Sequence, residues 1–228
     1  MKIVIHQPEY LPWLGFFDKL TTCDLYVALD HVQYQRGFIN RNRIKTPHGT
    51  HWLTVPIMHK FHRSSINTVL INNQTDWKRE HLLTLQHNYA NAPFFKKHAD
   101  FFTETFSRDW QNISDLDMHL MQYLMSMLDI AVPIQKSSEL GVEGKSTELL
   151  ITICKKVNAD FYLSGEGGKN YMDLKRFEEE GIAVEFQDFN HPVYEQQFPQ
   201  DGFAPNMSIV DLLFNCGPKS REILSQTL

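Results

Sequence analysis

The sequence predicts a three-layer α/β protein whose mostly parallel sheet lies between helices. The apolar run at 2–6 is followed, within thirty residues, by a helical pattern and a second apolar run at 24–30. Strand, helix and strand at this spacing form a βαβ unit with parallel strands. Strand and helix patterns alternate again near the C-terminus, which predicts further parallel strands at 131–135, 160–164 and 182–187.

Length and composition favour one domain over residues 1–228 and exclude several classes of protein. Apolar residues make up 42% of the chain, which is enough for a sizeable core. A formal net charge of -5 argues against a general nucleic-acid-binding protein. The sequence has no apolar run long enough to predict a membrane span. The chain opens on a strand rather than a signal peptide, and three widely spaced cysteines fit a reducing compartment. We therefore expect a cytoplasmic protein with a small-molecule substrate, and the sequence leaves its oligomeric state open.

Polar residues at the ends of the first two strands are candidates for catalysis. His6 and Gln7 follow the first strand, and Pro12 can begin a helix after them. In an open α/β sheet, ligands bind in the crevice beyond the carboxyl ends of the strands. His6 at this point could act as a base or bind phosphate. Asp30 and Gln33 follow the second strand at the same edge, so Asp30 is a further catalytic candidate and Gln33 a binding candidate.

Residues 36–72 are predicted to form an antiparallel arm on this body. Extended runs at 36–45 and 51–57 flank the turn Thr46-Pro47-His48-Gly49. Two extended runs around a Pro/Gly turn are typical of a β-hairpin. The apolar run Ile66–Ile71 can add a third strand to the arm.

The arm concentrates positive charge, with four cations within ten residues. Alternation along the strand places the last three on one face. Arginine binds phosphate and carboxylate groups through two parallel hydrogen bonds, so the cluster can bind a phosphorylated or nucleotide-linked substrate. It can also be a solvated strand face that prevents edge pairing, but the interleaved asparagines favour binding. The binding candidates are Arg36, Asn40, Arg41, Arg43 and Lys45.

Residues 76–128 are predicted to form a helical insert. Asp76 can cap its first helix, Pro93 can open the second, and Ser114 or Asp115 can open the third. The aromatic, leucine and methionine residues occur at helical spacing, and we interpret them as core.

The C-terminal part combines strands with capped helices. Ser146 is predicted to cap one helix, and a second runs from about Tyr171 to Gly181. Ser208 and Asp211 have the spacing of a capping box before a last apolar helix.

A glycine-rich turn, Ser164-Gly165-Glu166-Gly167-Gly168-Lys169, follows the strand predicted at 160–164. Its glycines let the backbone approach a ligand and present N–H groups to an anion, although many such turns are only tight turns. It matches neither the P-loop nor the dinucleotide-binding fingerprint. Because it belongs to the same sheet edge, we expect it to line one pocket with the polar residues after the first two strands. The binding candidates are Ser164, Gly165, Gly167, Gly168 and Lys169.

Motifs for metal binding and nucleophilic catalysis are weak. HExxH and paired CxxC motifs are missing, and His59 with His62 is a weak pair in a loop, so no metal site is predicted. The sequence contains no G-x-S-x-G elbow, so a serine hydrolase is not predicted. Neither Cys154 nor Cys216 has the setting of an activated thiolate.

Six segments together resemble the WbqC-like protein family over nearly the whole chain. They are His6–Lys19, Asp30–Tyr34, Asn40–Lys45, Ser146–Glu148, Ser164–Tyr171 and Asp211–Gly217, of which the first is the most specific. These motifs add Tyr10, Trp13 and Tyr171 to the binding candidates. Many members of that family are expected to carry two acidic residues at the positions of Asp30 and His31. The histidine at position 31 therefore argues against a paired-carboxylate metal site in this chain.

The resemblance implies a cytoplasmic enzyme of bacterial O-antigen and surface-polysaccharide biosynthesis that acts on a nucleotide-linked amino sugar. A transferase or an amide-forming ligase fits that substrate, with ATP as a candidate co-substrate. The alternative is a non-catalytic protein that binds nucleotide sugars or acts as a scaffold in the same machinery.

A looser similarity concerns the fold. A strand, a histidine-bearing turn and a helix, followed much later by a glycine–lysine turn, look like the adenylate-forming nucleotidyltransferases with a HUP-type, Rossmann-like sheet. Those enzymes use two histidines in an HxGH motif. Here only His6 corresponds, and Gly15 lies too far along the chain. An adenylation reaction is therefore suggested only by analogy between the folds.

Overall fold

The computed structural model describes residues 1–61 and 63–225, and its framework is a parallel five-stranded sheet with a separate antiparallel strand pair. In chain order the strands are β1 (Lys2–His6), β2 (Leu25–Ala28), β3 (Arg41–Thr46), β4 (Gly49–Thr54), β5 (Ile134–Lys136), β6 (Phe161–Ser164) and β7 (Ala183–Phe186). The α-helices are α1 (Leu14–Leu20), α2 (Trp77–Tyr89), α3 (Phe95–Ser107), α4 (Ile113–Met127), α5 (Ser146–Lys156), α6 (Leu174–Glu179), α7 (Ile209–Cys216) and α8 (Ser220–Ser225).

β1 lies at the centre of the parallel sheet, whose order is β5-β2-β1-β6-β7. Every neighbouring pair is parallel, so the five predicted strands are confirmed in one sheet. The chain builds outward from β1 to β2 and β5, and then crosses back to β6 and β7. The direction of winding therefore reverses between β1 and β6, where Val4 is paired with Leu163. A crevice forms beyond the carboxyl ends of the strands at such a reversal.

Helices cover both faces of the sheet, because successive residues of its central strands point to opposite sides. Ile3 and Ile5 join Leu149 and Phe177, from α5 and α6, in one core. Val4 points to the other side, into a larger core that includes α1, the three helices of the insert and α7. Complete burial of side chains of this size contributes about 1.5–3 kcal/mol each. β1 therefore supplies both cores and fixes the position of the loop that follows it.

The predicted hairpin is confirmed, but its first strand starts later than expected. β3 and β4 pair in antiparallel fashion, with Arg43 opposite Trp52. Residues 36–40 form a turn instead of extending β3, and the Asn40 N–H donates to the Gly37 carbonyl. Arg36 therefore lies in a turn and not on the strand.

The third strand predicted at Ile66–Ile71 is wrong. Residues Ile66–Thr68 form a short 3-10 helix. The Thr68 hydroxyl donates to the Ser65 carbonyl at 2.8 Å, and local bonds of this kind compete with strand pairing. The remaining pairings of this segment are isolated bridges, not a ladder.

The three helices predicted in the insert are confirmed as α2, α3 and α4, but their caps differ. Asn112, rather than Ser114 or Asp115, caps α4, because its Oδ1 accepts a hydrogen bond from the Ser114 N–H at 2.8 Å. Asp76 precedes α2 without capping it, and its carboxylate lies 3.7 Å from the guanidinium of Arg79.

Other helix starts differ from the predicted ones by a few residues. α3 begins two residues after Pro93, and α6 begins three residues after Tyr171. Ser146 opens α5 at a positive φ of 50° and makes no capping bond, so its predicted role is wrong. Ser208 caps α7 as predicted, since its side chain accepts from the Val210 N–H at 3.4 Å. Within the part of the chain that the structure describes, no helix has the length and apolar character needed to cross a membrane.

Two histidines buried among the aromatic rings of the insert should make the protein sensitive to acid. Burial lowers the pKa of His81 and of His98 to about 4, and the His81 Nδ1 lies 2.8 Å from the Tyr10 hydroxyl. Below pH 6.5 the unfolded chain therefore binds protons that the folded chain does not. The contribution of these two histidines to stability is complete above that pH and falls toward pH 4, by about 3 kcal/mol per histidine. Urea unfolding should give a lower free energy of unfolding near pH 4.5 than near pH 7.

His81→Leu should remove part of this pH dependence, because it removes one buried titrating ring. His87→Gln changes an exposed side chain of the same helix and is the matched control. An unchanged pH dependence in His81→Leu would show that the buried ring does not carry the effect.

Candidate functional site

The loop after β1 is held between the hairpin and α7. On one side the Tyr10 N–H donates to the Phe38 carbonyl at 2.9 Å, and on the other the Ile209 N–H donates to the Pro12 carbonyl at 2.9 Å. Leu11, which is fully buried, adopts a positive φ of 45°. This conformation costs a non-glycine residue about 1 kcal/mol or more, so the surrounding contacts must hold it.

Tyr10 and Trp13 anchor this loop to its neighbours. The Tyr10 side chain is fully buried, and its hydroxyl lies 2.8 Å from His81, which joins the loop to the insert. Trp13 folds back over α1, where a Cβ on Gly15 would lie 2.3 Å from the indole ring. Only glycine fits there. Trp13 also packs edge-on against Phe189 with ring centroids 5.2 Å apart, and it remains partly exposed at the rim of the loop.

His6 stands at the end of β1 with 32% of its side chain exposed. Its Nδ1 lies 3.0 Å from the Gln7 carbonyl oxygen, which can only accept, so Nδ1 carries the proton and Nε2 is an acceptor. Burial, together with the positive charge of Lys19, lowers the pKa of His6 to about 3. The ring is therefore neutral at neutral pH. It can accept a hydrogen bond from a ligand, but it is a poor general base.

A buried pair of opposite charges, Glu9 and Lys19, lies next to His6. The two residues are 5% and 4% exposed, and Glu9 Oε1 lies 3.8 Å from the His6 Nδ1. Burial raises the pKa of Glu9 to about 7 against the opposing effect of Lys19. Burial likewise lowers the pKa of Lys19 to about 8 against the opposing effect of Glu9. Burial thus moves the pKa values of both groups toward neutral pH, a kind of shift that is common at catalytic sites and also occurs in structural ion pairs.

Lys19 also connects the two strands that flank the crevice. An added Cβ on Gly165 would lie 3.6 Å from the Lys19 Nζ, so the ammonium group lies against the turn after β6. The neighbouring Asp18 accepts a hydrogen bond from the Gln187 side chain at 2.5 Å, which ties α1 to the end of β7. Asp18 and Gln187 also line a cavity of about 370 Å³. A buried cation thus lies at the reversal between β1 and β6.

Glu9 and Lys19 were absent from the residues predicted for the site, although both lie in the segment His6–Lys19. The available signal was the composition of α1. Its apolar residues occur around the whole circumference, and all seven of its residues are buried. A lysine in such a helix has no solvent-facing side and needs a buried partner.

The glycine-rich turn follows β6, which is the neighbour of β1 in the sheet. It forms a 3-10 helix over Glu166–Asn170. A Cβ on Gly168 would lie 2.4 Å from the Ser164 hydroxyl, so packing alone requires this glycine. A Cβ on Gly167 would meet open space. Packing therefore explains the glycine at position 168, whereas the backbone at Gly165 and Gly167 remains accessible.

Lys169 and Tyr171 lie on the outer side of the turn. The Lys169 ammonium is half-exposed and lies 3.8 Å from the Glu166 carboxylate, and Tyr171 is 56% exposed. The cation that lies against Gly165 is Lys19, which the sequence patterns did not identify.

Asp30 reaches the expected edge, but its carboxylate is already engaged. Oδ1 accepts hydrogen bonds from the Ser138 N–H at 2.9 Å and the Ser137 hydroxyl at 3.1 Å, and Oδ2 accepts from the Ser138 hydroxyl at 2.8 Å. These bonds tie the end of β2 to the turn after β5, which favours a structural role over a catalytic one. Gln33 is exposed and makes an isolated backbone bridge with Ser65.

Arg41 and Arg43 lie on one face of the hairpin, as the alternation predicts. Their guanidinium carbons lie 4.4 and 5.4 Å from the centre of the Trp52 ring. Within residues 1–61 and 63–225, neither arginine has an ion-pair partner, and the buried Nε of each has no hydrogen-bond acceptor. Arg36 and Arg41 both act electrostatically on the hydroxyl of Tyr34, so the turn before β3 brings a third cation to the same region.

Lys45 serves the fold instead of joining the arginines. It is 2% exposed, donates to the Gly202 carbonyl at 2.5 Å and lines a cavity of about 450 Å³ with residues of the segment 193–203. Burial raises the pKa of Asp211, and the positive charge of Lys45 opposes that shift only in part. Asp211 does not form the predicted capping box, because its carboxylate accepts from two tyrosine hydroxyls at 2.6 and 2.9 Å.

The asparagines interleaved with the basic residues are buried. Asn40 donates to the Val55 carbonyl and Asn42 to the Leu11 carbonyl, each at 2.8 Å. These bonds hold the hairpin together and fasten it to the loop after β1. The asparagines are therefore part of the framework of the hairpin, whereas Arg41 and Arg43 lie on its other face.

Asp117 of α4 is a second buried acid near Glu9. It is fully buried, and among the described residues neither of its carboxylate oxygens has a hydrogen-bond partner; the same holds for Glu9 Oε2. Burial, and then the negative charge of Glu9, raise the pKa of Asp117 well above its ordinary value. Asp117 therefore keeps its proton to a much higher pH than an exposed aspartate does.

Metal binding finds no geometric support in the described part of the chain. Residues 1–61 and 63–225 contain no group of three or more histidine, cysteine, aspartate or glutamate side chains that could hold an ion. His62, one member of the weak pair with His59, lies outside the described residues.

Comparison with known proteins identifies a family. A model of the WbqC-like protein family matches residues 7–223, which confirms the resemblance carried by the six segments. An uncharacterised protein of Mycobacterium tuberculosis is 34% identical over 228 residues, covering 98% of this chain and 97% of that protein. No solved structure matches the chain.

Asp117→Asn should stabilise the protein more at about pH 8 than at about pH 5. The folded state keeps a proton on Asp117 that the unfolded chain loses above pH 3.8, so this residue makes stability fall as the pH rises. Asparagine has nearly the same shape and does not titrate. The measurement is the melting temperature of the variant minus that of the wild type at both pH values.

Asp115→Asn, in the first turn of the same helix and 61% exposed, is the matched control. A difference in melting temperature that is the same at both pH values would show that Asp117 ionises normally in the folded state.

Proposed function

Because this chain belongs to the WbqC-like protein family, we propose that it is a bacterial enzyme of O-antigen and surface-polysaccharide biosynthesis that modifies a nucleotide-linked amino sugar. The reaction is acyl or aminoacyl transfer to the sugar amine, by a transferase or an amide-forming ligase. The observation that carries the proposal is the buried pair Glu9 and Lys19, beside His6, at the reversal between β1 and β6.

Glu9 is the proposed general base. An amine attacks an acyl carbon as the free amine, and its nitrogen must lose a proton as the new C–N bond forms. A carboxylate whose pKa is raised to about 7 accepts that proton at neutral pH and can return it to the leaving group. His6, the base expected from the sequence, has too low a pKa for this role, and its Nε2 instead accepts a hydrogen bond from the substrate.

Lys19 is the proposed source of electrostatic stabilisation. Its buried ammonium group lies against Gly165, in the turn after β6. Negative charge develops on the acyl oxygen as the amine attacks, and a fixed cation in a buried site stabilises that charge far more than one in water. The same position suits a phosphate group of a co-substrate.

Arg41 and Arg43 are proposed to bind the diphosphate of the nucleotide sugar. They lie two residues apart on one strand face, with no carboxylate to neutralise them in the described chain. Two convergent guanidinium groups match the geometry of a diphosphate. Arg36 adds a third positive charge in the neighbouring turn.

The strand order supports a Rossmann- or HUP-like assignment of the sheet. Counting only the parallel strands, the order is third, second, first, fourth and fifth, which is the order of doubly wound nucleotide-binding sheets. The assignment is consistent with ATP as the activating co-substrate in the crevice. The three free cysteines fit a reaction in the cytoplasm.

A screen can test this function directly. The protein is first tested by thermal shift against nucleotide-linked amino sugars and ATP, and the ligands that stabilise it are then incubated with acyl donors and followed by mass spectrometry. Acylated sugar, formed with or without ATP, supports the enzyme. Binding without turnover of any combination favours the non-catalytic binding or scaffolding protein.

Glu9→Gln should lower product formation by about 100-fold or more, because glutamine cannot accept the proton. Binding of the nucleotide sugar should be kept, since the arginines are unchanged. Product formation is measured by mass spectrometry and binding by calorimetry. Glu143→Gln, an exposed change far along the chain, is the control. Wild-type product formation by Glu9→Gln would remove Glu9 from the reaction.

Arg41→Ala and Arg43→Ala should each weaken nucleotide-sugar binding by about tenfold or more, while the melting temperature barely changes. The reason is that each charge-assisted contact to phosphate is worth roughly 1.5–3 kcal/mol, whereas the arginines have no ion pair within the fold described. Lysine at either position should recover only part of the affinity, because it lacks the planar fork.

Arg79→Ala, on the exposed side of α2, is the matched control for these variants. Normal binding by both alanine variants, combined with a large loss of melting temperature, would show that the two arginines are structural.

A further inference from the structure

We propose that Phe38 and Trp52 form a stacking platform for the base of a nucleoside diphosphate. This inference rests on the proposed function, in which Arg41 and Arg43 bind the diphosphate, and it adds the residues that recognise the rest of the nucleotide. The four residues together are called the hairpin platform.

The two aromatic side chains of the platform are exposed in a way that the fold does not require. Phe38 is 41% exposed and Trp52 38% exposed, although both are large and apolar. Their ring centroids lie 6.1 Å apart with an interplanar angle of 41°, so the two rings are neighbours in a tilted arrangement. Aromatic rings presented to solvent beside a cationic groove are typical of proteins that stack nucleotide bases.

The arginines lie where the phosphates of a stacked nucleotide would be. Arg43 is the strand partner of Trp52, and Arg41 follows the same face two residues earlier. Both guanidinium groups lie over the indole, with their carbons 4.4 and 5.4 Å from its centre. No carboxylate pairs with them in residues 1–61 and 63–225. The platform thus joins an aromatic surface to two uncompensated positive charges.

This combination matches a nucleoside diphosphate better than a plain anion. An inorganic phosphate or pyrophosphate would use the arginines and leave the exposed rings without a partner. A base has a π-face that stacks on an aromatic ring or on a guanidinium plane, and its phosphates carry the charge that the arginines lack. Stacking tolerates different bases, so the platform should accept more than one nucleotide.

The hairpin that carries the platform is fastened to the loop that carries Glu9. The Phe38 carbonyl accepts the Tyr10 N–H at 2.9 Å, so the turn that carries Phe38 is fastened to the loop that carries Glu9. Asn42, between the two arginines, donates to the Leu11 carbonyl of the same loop. The hairpin that carries the platform is thus fastened to the loop after β1 through the face opposite the two arginines.

Calorimetry of the full chain with UDP, GDP and inorganic pyrophosphate tests the platform. The wild type should bind both nucleotides roughly tenfold or more tightly than pyrophosphate. Trp52→Leu should lose that difference while its affinity for pyrophosphate is kept. Trp52→Phe, which keeps a ring, should recover most of the difference. Phe38→Leu is a second variant at an exposed turn position, and Leu83→Ala, 37% exposed on α2, is the control.

Three results would overturn the inference. They are equal affinity of the wild type for pyrophosphate and both nucleotides, wild-type nucleotide binding by both Trp52→Leu and Phe38→Leu, and no binding of any of the three probes. The proposed function and the platform can be rejected independently of each other. Base-dependent binding without turnover of any nucleotide sugar supports the platform and rejects the enzyme, whereas turnover that is unchanged in Trp52→Leu, with unchanged nucleotide affinity, rejects the platform alone.

Discussion

The pairing of β1 with β2 on one side and β6 on the other is the constraint on which the rest of the structure depends. His6 is in register with Ala28, and Val4 with Leu163. Because β1 is fixed from both sides, the loop after it and the turn after β6 emerge next to each other. A shift of one residue would turn Ile3 and Ile5 away from their core. The positions of Glu9 and Lys19 follow from this register, because Glu9 lies in the loop after β1 and Lys19 lies in α1, which that loop joins to β1.

The sheet and most helices could be predicted because their signals are local. An apolar run, a proline and a helical repeat are all read within a few residues, and the βαβ rule then fixes the direction of the strands. Element ends were less predictable, because they depend on which side chain reaches a free N–H group. Asn112 and Ser114 are both plausible caps by type, and only the backbone geometry selects Asn112. The segment 66–71 fails for a similar reason, since a threonine turn competes with pairing.

The sequence could predict that the turns after β1 and β6 are neighbours, but not which buried ionisable residues lie between them. The sheet-edge rule places His6 and the glycine-rich turn together because both follow strands. Burial is not a local property, and it decides which polar residues titrate near neutral pH. Glu9 and Lys19 come from neighbouring parts of the chain, the loop after β1 and α1, whereas Asp117 comes from the distant α4. Lys45 shows the converse, because it follows the same alternation as Arg41 and Arg43 but packs against the segment 193–203.

The hydrogen bond between Ile209 and Pro12 joins the two ends of the chain across the candidate site. On a translating ribosome, the loop after β1 is therefore made about two hundred residues before the partner that holds it. Until α7 has been synthesised, the strained conformation of Leu11 lacks one of its supports. Glu9 and Lys19 can stay hydrated during that time. The loop after β1 thus reaches its final form only after α7 has been made.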